Sequence, residues 1–235
     1  MALFVSGGDH MTGNVFVEFG GLFKAGHAAE AQWLDSLRHL LLQGGGMRKL
    51  VYSTSLSLDG YIDSAAGDPS WVVPDEELHR HFNDVERKVD TLLYGRRMYE
   101  IMAGYWPTAD QDPSAPGVIV EYAQIWKPVP KLVFSSTLER VDWNSRLIRG
   151  DAVAEVARLK AQPGGGSIGV GGLLLASALA SAGLIDEYRL YYVPIFLGSG
   201  KAAFSQIQNS VRLKPVETHT FSSGTVLLRC APVTP

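Results

Sequence analysis

The sequence predicts an α/β domain in three layers, with helices on both faces of a mixed, mostly parallel sheet. Short β-rich segments alternate with helical segments from Lys49 onwards, and this alternation is typical of a parallel sheet covered on both sides. A glycine pair, Gly171-Gly172, joins a strand directly to a helix. The C-terminal segment predicts an antiparallel hairpin at one edge of the sheet.

The first half of the domain begins with a strand, 50–58, whose residues alternate and which ends at the turn Asp59-Gly60. Acidic residues after Pro74 suit the first turn of a helix that runs to about Val89. A short buried strand, 91–94, leads into a helix that starts at Gly95 and extends through Met102. A loop rich in Pro, Asp and Gly, 105–117, separates this helix from the next one at 118–126.

The second half continues the same alternation, with a strand at 131–134 and a helix at 151–160. The stretch 163–201 then predicts a strand, the glycine turn, a helix that stops at Gly183 and another strand. In this stretch we predict the strands Ser167–Val170 and Glu187–Pro194 and the helix Leu173–Ala182. The terminal hairpin, around Ser223-Gly224, consists of the predicted strands Val216–Phe221 and Thr225–Cys230.

The first 46 residues differ in character from the rest. Residues 1–26 are rich in glycine and show no sustained period, whereas 28–43 carry apolar residues at helical spacing. The glycines at 44–46 indicate a linker, and Met47 opens the first strand of the domain. We therefore expect an N-terminal extension, 1–46, with one amphipathic helix, followed by a domain at 47–235.

The composition excludes several classes of protein. The 235 residues are 46% hydrophobic and 19% charged, and the net charge of −3 does not favour a nucleic-acid partner. One cysteine rules out an intrachain disulfide framework, and no apolar run reaches the ~18 residues of a membrane span. His79 and His81 point to different faces of a helix, so we expect no metal site. A cytoplasmic protein fits these observations.

Three segments at strand ends suit the phosphate groups of a ligand. Gly95-Arg96-Arg97 offers a helix start with two guanidinium groups, Ser135-Ser136-Thr137 offers hydroxyl donors, and Gly171-Gly172 precedes a second helix start. Each segment alone has an ordinary alternative, because arginines are usually solvated, hydroxyls often cap loops and Gly-Gly makes tight turns. In a parallel sheet, however, ligands lie beyond the carboxyl ends of the strands, where all three segments fall.

The sequence resembles the dihydrofolate reductase superfamily over about residues 47–231. The similarity is greatest to the reductase domain of the bifunctional riboflavin-biosynthesis deaminase-reductase and its stand-alone relatives. It rests on SLDGYI at 57–62, LLYGRRMYEIMAGYWP at 92–107, KLVFSSTLE at 131–139 and VGGLLLASALASAGLIDEYRLYYVPIFLGSGKAAF at 170–204. The chain lacks the zinc motif of the deaminase. Met98 stands where relatives commonly carry Thr.

The resemblance implies a dihydrofolate reductase-like fold that binds NADPH and transfers hydride to a pterin-like or aminopyrimidine heterocycle. It assigns the helix start at 95–97 to the cofactor phosphates, the hydroxyls at 135–137 to the 2′-phosphate, and two further groups to the pyrophosphate and the nicotinamide. The implied cofactor-binding residues are Ser55, Ile62, Gly95, Arg96, Arg97, Ser135, Ser136, Thr137, Val170, Gly171, Gly172, Leu173 and Leu174.

The catalytic side is less determined by the sequence. The candidate proton donors are Asp59 in the SLDG segment, and Glu76 and Glu77 with Asp75 beside them. Their alternatives are an Asp that caps a turn before Gly and acids that complement a helix dipole. Leu58, Trp71, Tyr105 and Trp106 are the candidate substrate contacts, although aromatic residues more often pack in a core.

Two other functions remain open from the sequence. The chain could be a non-catalytic nucleotide-binding or regulatory module that keeps the NADPH site without a productive acid. It could also be a structural homodimer, since the apolar strand 188–197 is predicted near a sheet edge that could pair with a second copy. For the reductase, too, we expect a homodimer.

Overall fold

An eight-stranded sheet forms the middle layer of the computed structural model, which describes residues 48–65, 71–207 and 210–233. Five α-helices and a short 3-10 helix at Ala109–Gln111 accompany the strands in these ranges. The helices are α1 (Glu76–Glu86), α2 (Arg96–Tyr105), α3 (Gly117–Trp126), α4 (Ala152–Lys160) and α5 (Leu173–Ser181). The strands are β1 (Leu50–Ser57), β2 (Tyr61–Ser64), β3 (Val89–Gly95), β4 (Lys131–Phe134), β5 (Ser145–Ile148), β6 (Ser167–Gly171), β7 (Glu187–Val193), β8 (Gly200–Ala202), β9 (Leu213–Thr220) and β10 (Val226–Pro232).

The main sheet has the strand order β5-β4-β3-β6-β1-β7-β10-β9. Neighbouring strands from β5 to β7 are parallel, and β10 runs antiparallel to both β7 and β9. Strands β2 and β8 form a separate antiparallel pair. The predicted mixed, mostly parallel sheet with a C-terminal hairpin is therefore confirmed.

Helices cover both faces of the sheet. Because successive residues of a strand point to opposite faces, neighbouring residues of one strand contact different helices. On β3, Leu93 packs with α4 and α5 residues such as Val156 and Leu179. Leu92 and Tyr94 instead pack with α2 and α3 on the other face. On that same side of the sheet, α1 packs against β7 and β10 through a smaller cluster of Leu78, Phe82, Tyr191, Phe221 and Leu227.

Several element boundaries differ from the prediction. Helix α1 ends at Glu86 rather than near Val89, because Val89 already pairs with Ser167 at the start of β3. Helix α2 continues to Tyr105, past the predicted end at Met102. Strands β2, β5 and β8 were not predicted, and each is only three or four residues long.

The predicted edge position of the strand at 188–197 is wrong. Strand β7 pairs with β1 on one side and with β10 on the other, so its backbone groups are already used. The edges of the main sheet are β5 and β9. Homodimer formation stays a prediction, without the edge strand that first motivated it.

The predicted extension at 1–46 lies outside the described residues, and the proposed domain boundary at Met47 stays a prediction. Among the helices of the described ranges, none combines the length and the apolar character that a membrane span requires.

Candidate functional site

The three predicted phosphate segments lie side by side at the carboxyl edge of the sheet. They follow β4, β3 and β6, which are consecutive neighbours, and β1 is next in the order. The parallel direction of these strands brings their ends to one edge although the segments are far apart in the chain. The topology thus assembles a single candidate site from residues at 55–62, 95–97, 135–137 and 170–174.

Helices α2 and α5 start at this edge without a capping side chain. Their N-cap residues are Gly95 and Gly172, and neither helix has an acidic residue in its first turn. Helices α1 and α4, in contrast, start with Asp75 and Asp151, whose carboxylates accept backbone N–H groups. Uncapped helix starts leave N–H groups and a positive dipole end available to an anion.

The two uncapped helix starts are close together, and Gly171 and Gly172 form the turn between them. A methyl group on Gly172 would lie 3.5 Å from the Gly95 nitrogen and from Met98 Cβ. Gly172 also has φ of +103°, which favours glycine. A methyl group on Gly171 would lie 2.8 Å from the Tyr94 ring and 2.9 Å from Met98 Cγ. Met98 therefore fills the space beneath the glycine turn, and this packing accounts for an apolar residue at that position.

The hydroxyl segment after β4 folds into a tight turn beside α2. Ser135 Oγ accepts the N–H groups of Thr137 at 3.2 Å and Leu138 at 3.1 Å. Arg96 Nη1 donates to Thr137 Oγ1 at 2.9 Å. Arg149 donates to the carbonyl oxygens of Ser136 and Leu138. The turn therefore lies between two guanidinium groups.

A second group of charges lies at the first turn of α2. Arg97 Nη2 is 3.3 Å from Asp63 Oδ2, so this contact ties α2 to the buried carboxylate on β2. Lys201 belongs to the paired strand β8. The pKa of Lys201 is lowered, mainly by partial burial and also by the positive charge of Arg97, and the opposing effect of Asp63 does not cancel this shift. The repulsion between Arg97 and Lys201 favours the arrival of an anion.

The remaining cofactor candidates lie on or beside the central strands. Ser55 is half-buried in β1, opposite Tyr191 of β7, and Ile62 of β2 packs against the core. Around the glycine turn, Val170 and Leu173 are buried, whereas Leu174 is 67% exposed in the first turn of α5. These placements agree with a ligand that extends along the edge.

Asp59 holds two loops together. Its carboxylate accepts hydrogen bonds from the Ser57 hydroxyl at 2.6 Å, from the Leu197 amide at 3.1 Å and from the Gly198 amide at 2.7 Å. The Ser57 bond lowers the pKa of Asp59, and the two amides lower it further. An acid that is kept ionised in this way is poorly suited to deliver a proton, so the structure favours the turn-stabilising alternative.

Glu76 lies on a cavity of about 620 Å³ between the first turns of α1 and α3. Its side chain is 67% exposed and pairs with Arg80. The neighbouring acids are also engaged, because Asp75 Oδ2 and Glu77 Oε2 both accept the Ser222 hydroxyl. Buried His79 lines the same cavity, and its Nε2 has no hydrogen-bond partner among the described residues.

The four predicted substrate contacts lie in different environments. Trp106 is a correction, because it is fully buried and packs 4.2 Å from the Tyr122 ring, between centroids. Tyr105 is the last residue of α2, a ten-residue helix, and therefore lies ~15 Å from Gly95 at the other end of that helix. Leu58 is 50% exposed beside β1 and Trp71 is half-buried, so both stay predictions.

Sequence reasoning missed Arg149, Asp63, Lys201 and His79. Arg149 follows β5, and recognition of that strand would have marked it as a strand-end residue. Lys201 stands in the GSGK turn that the sequence shows, but its proximity to Arg97 depends on the pairing of β2 with β8. That pairing leaves no periodic pattern in segments so short.

The sequence matches known proteins over the same region as the site. Residues 48–227 match the family model of the RibD C-terminal domain. The uncharacterized protein YyaP of Bacillus subtilis is 34% identical over 182 residues, which cover 76% of this chain and 92% of YyaP. A second B. subtilis protein, uncharacterized YwjB, is 28% identical over 185 residues, or 77% of this chain and 96% of YwjB.

Solved structures share the fold. A putative riboflavin biosynthesis protein from Shewanella sp. PV-4 superposes with a TM-score of 0.63 at 21% identity, over 79% of this chain and 99% of that one. Dihydrofolate reductase from Enterococcus faecalis, which was crystallised with NADP(H), gives 0.53 at 17% identity over 80% and 97%. These structures support the dihydrofolate reductase-like fold. The match of residues 48–227 to the family model establishes that the chain belongs to the RibD C-terminal domain family.

Proposed function

We propose that this protein is an NADPH-dependent reductase that transfers hydride to a pterin-like or aminopyrimidine heterocycle. The observation that carries the proposal is the pair of uncapped helix starts at Gly95 and Gly172, which lie together at the carboxyl edge. Membership of a family of reductase domains supports the same reaction class.

The residues at the edge fit a dinucleotide. The free N–H groups at the start of α2 and α5 would hold the pyrophosphate, with Arg97 and Lys201 adding positive charge. Ser136 and Arg96 would hold a 2′-phosphate at the end of β4. Gly172 would allow the backbone to approach the ligand without a Cβ between them. Ser55 and Ile62 would then adjoin the nicotinamide at the end of β1.

When bound, NADPH supplies the hydride, so the protein's task is to orient the two reactants and to supply a proton. Asp59 would act indirectly, by joining the loops at 57–60 and 197–198 beside the nicotinamide position. Glu76 and Asp75 both line the cavity that contains His79, and Asp75 is engaged with the Leu78 amide and the Ser222 hydroxyl. We therefore keep Glu76 as the candidate proton donor.

A second candidate function is a nucleotide-binding module without catalysis. It is favoured by the engagement of the acids, since Asp59 accepts three hydrogen bonds and Glu76 pairs with Arg80. Both functions require NADPH binding, and only the reductase requires turnover.

The proposal is tested by NADPH oxidation, followed at the nicotinamide absorbance band. The acceptors to be screened are dihydrofolate, dihydropterins, the ribosylaminopyrimidine of riboflavin biosynthesis, quinones and simple carbonyls. We expect turnover with at least one flat nitrogen heterocycle and none without acceptor. Tight NADPH binding without turnover on any acceptor would favour the non-catalytic module instead.

A matched pair of variants tests the role of Glu76. We expect Glu76→Gln to lower kcat while NADPH binding is unchanged, and Glu77→Gln, one residue further along, to leave kcat near the wild-type value. Equal kcat values for Glu76→Gln and the wild type would exclude Glu76 as the proton donor.

A further inference from the structure

Arg149 lies beside the hydroxyl turn because β4 and β5 are parallel and in register. Phe134 pairs with Ile148, and the Ser135 amide donates to the Ile148 carbonyl at 3.3 Å. The next residue, Arg149, therefore reaches the turn from the β5 side. Its Nη1 donates to the Ser136 carbonyl at 2.9 Å and its Nη2 to the Leu138 carbonyl at 2.5 Å. A planar guanidinium can bridge two carbonyls in this way, whereas a lysine ammonium acts as a point charge.

These bonds help to determine which groups of the turn face a ligand. Ser135 Oγ is occupied by the Thr137 and Leu138 amides, and Thr137 Oγ1 accepts from Arg96. Ser136 is exposed, and its hydroxyl and amide have no hydrogen-bond partner in the described part of the chain. With its carbonyl held by Arg149, Ser136 leaves its amide N–H and its hydroxyl, both of which can donate, available to a ligand.

The charges at the turn are only partly neutralised. Arg96 pairs with Glu100 at 2.7 Å. Arg149 has no carboxylate partner among the described residues, and its guanidinium donates to the Ser136 and Leu138 carbonyl oxygens. A guanidinium on each side of an exposed serine provides both charge and donors for a phosphate monoester. A ribose hydroxyl at the same place gains the donors but little from the charge.

We infer that Arg149 is a specificity-determining residue, which holds the turn at 135–138 in the form that binds a phosphate monoester. It acts as a positioning residue, through the Ser136 and Leu138 carbonyls, and thereby sets a preference for 2′-phosphorylated dinucleotides. This inference rests on the proposed function, because it deepens the assignment of the same site.

The test compares Arg149→Met and Arg149→Lys with the control Arg146→Met. Arg146 lies on β5, the strand that Arg149 follows, and its guanidinium pairs with Glu155 at 3.0 Å. Dissociation constants are measured by fluorescence titration for NADPH and NADH, and for 2′,5′-ADP and 5′-ADP as probes of the adenosine end alone. We expect Arg149→Met to weaken NADPH and 2′,5′-ADP by about tenfold, which equals about 1.4 kcal/mol. NADH and 5′-ADP should change by less than about twofold, within the scatter of a neutral surface substitution.

The lysine variant separates positioning from folding. Arg149→Lys keeps the charge and can replace one of the two bonds, so we expect an intermediate loss for the phosphorylated ligands and a melting temperature equal to that of the wild type. If Arg149→Met does not fold, this variant decides the question. Arg146→Met should bind all four ligands like the wild type.

Two results would overturn the inference: an unchanged ratio of NADPH to NADH affinity in both Arg149 variants, or an equal loss for phosphorylated and non-phosphorylated ligands. These failures differ from failure of the proposed function. If the wild type binds neither NADPH nor NADH, the proposed function falls first. If the wild type binds NADPH and the variants bind it equally well, only the role of Arg149 is lost.

Discussion

Ser136 is the residue on which the choice of cofactor depends in this account. Its neighbours Ser135 and Thr137 use their hydroxyl groups within the turn, while Ser136 is exposed beside Arg96. A small hydroxyl there leaves space for a 2′-phosphate and donates to it. The consequence is that a negative side chain at 136 should exclude the phosphate while leaving a ribose hydroxyl acceptable.

We predict that Ser136→Asp shifts the ratio of NADPH to NADH affinity by at least about tenfold towards NADH, because the carboxylate repels the phosphate and can accept from a ribose hydroxyl. Fluorescence titration of both cofactors measures the ratio. Ser145→Asp adds the same charge at the start of β5, at the amino ends of the parallel strands, and serves as the control. An unchanged ratio in Ser136→Asp contradicts the assignment.

At the level of single residues, the sequence identifies positions where the backbone itself requires a particular residue type. It does not decide the role of a side chain that could equally lie in a functional site or in the packed structure. Gly172 was identified because a glycine pair joins a strand directly to a helix, and the structure adds that its φ is positive. The sequence around Asp59 suits a proton donor as well as a residue that holds two loops together. Only the positions of the Leu197 and Gly198 amides distinguish these two roles. Trp106 was misplaced because burial by Tyr122 depends on tertiary packing.

At the level of elements, the helices of the described residues differ in how they start, and α3 follows Pro116 without a capping side chain. Helices α1 and α4 have an Asp N-cap that satisfies backbone N–H groups. Helices α2 and α5 start with glycine and no capping side chain. An Asp cap typically stabilises a helix by about 1 kcal/mol. The starts of α2 and α5 differ from that of α3 in lying together at the carboxyl edge, where a bound anion can accept their free N–H groups. We attribute this role to the ligand phosphates.

Gly172→Ala should therefore lower NADPH affinity by at least about tenfold, because the methyl group stands in the path of the phosphate. The positive φ should also lower the free energy of unfolding by about 1–3 kcal/mol. Gly183→Ala is the control, since Gly183 ends the same helix with φ of +67° and open space around an added Cβ. Titration calorimetry and urea unfolding separate the two effects. A loss of affinity that is equal in both variants would indicate strain alone.

The elements themselves were predicted well where the pattern is long. Strand β4 has the predicted bounds, and α5 ends within one residue of its predicted end. Strand β5 was missed because four residues, SRLI, carry too little alternation. Arg149 was missed together with the strand that positions it.

At the level of the whole molecule, the parallel topology converts separate segments into one site. Any sequence with this alternation of strands and helices places strand ends at one edge, which is why the site could be located before its geometry was known. The sheet order could not be derived, because it depends on which strands pair across long connections. The same limit explains the wrong edge position of β7.

The core also predicts a pH dependence of stability. Lys131 is buried at the start of β4, and its ammonium donates to the Trp126 and Val129 carbonyls at 2.7 Å. Burial lowers its pKa to about 8. The unfolded chain, with a lysine pKa of about 10.4, binds more protons between these two values. The contribution of Lys131 to the free energy of unfolding should therefore rise with pH in that window.

Urea unfolding at pH 7 and pH 10 compares the wild type with Lys131→Met. We expect the stability of the wild type relative to the variant to be greater at pH 10 by on the order of 1 kcal/mol, a value reduced by solvent relaxation around the ammonium. A difference that does not change with pH would show that Lys131 titrates in the folded protein as it does in the unfolded chain.

The central claim is that the carboxyl edge binds NADPH, and isothermal titration of the full-length protein with NADPH and NADH tests it most directly. The account predicts NADPH binding with a dissociation constant of about 10 μM or below, equivalent to about −7 kcal/mol, and NADH binding at least about tenfold weaker. Absence of NADPH binding at this level, or equal affinity for both cofactors, would contradict the account.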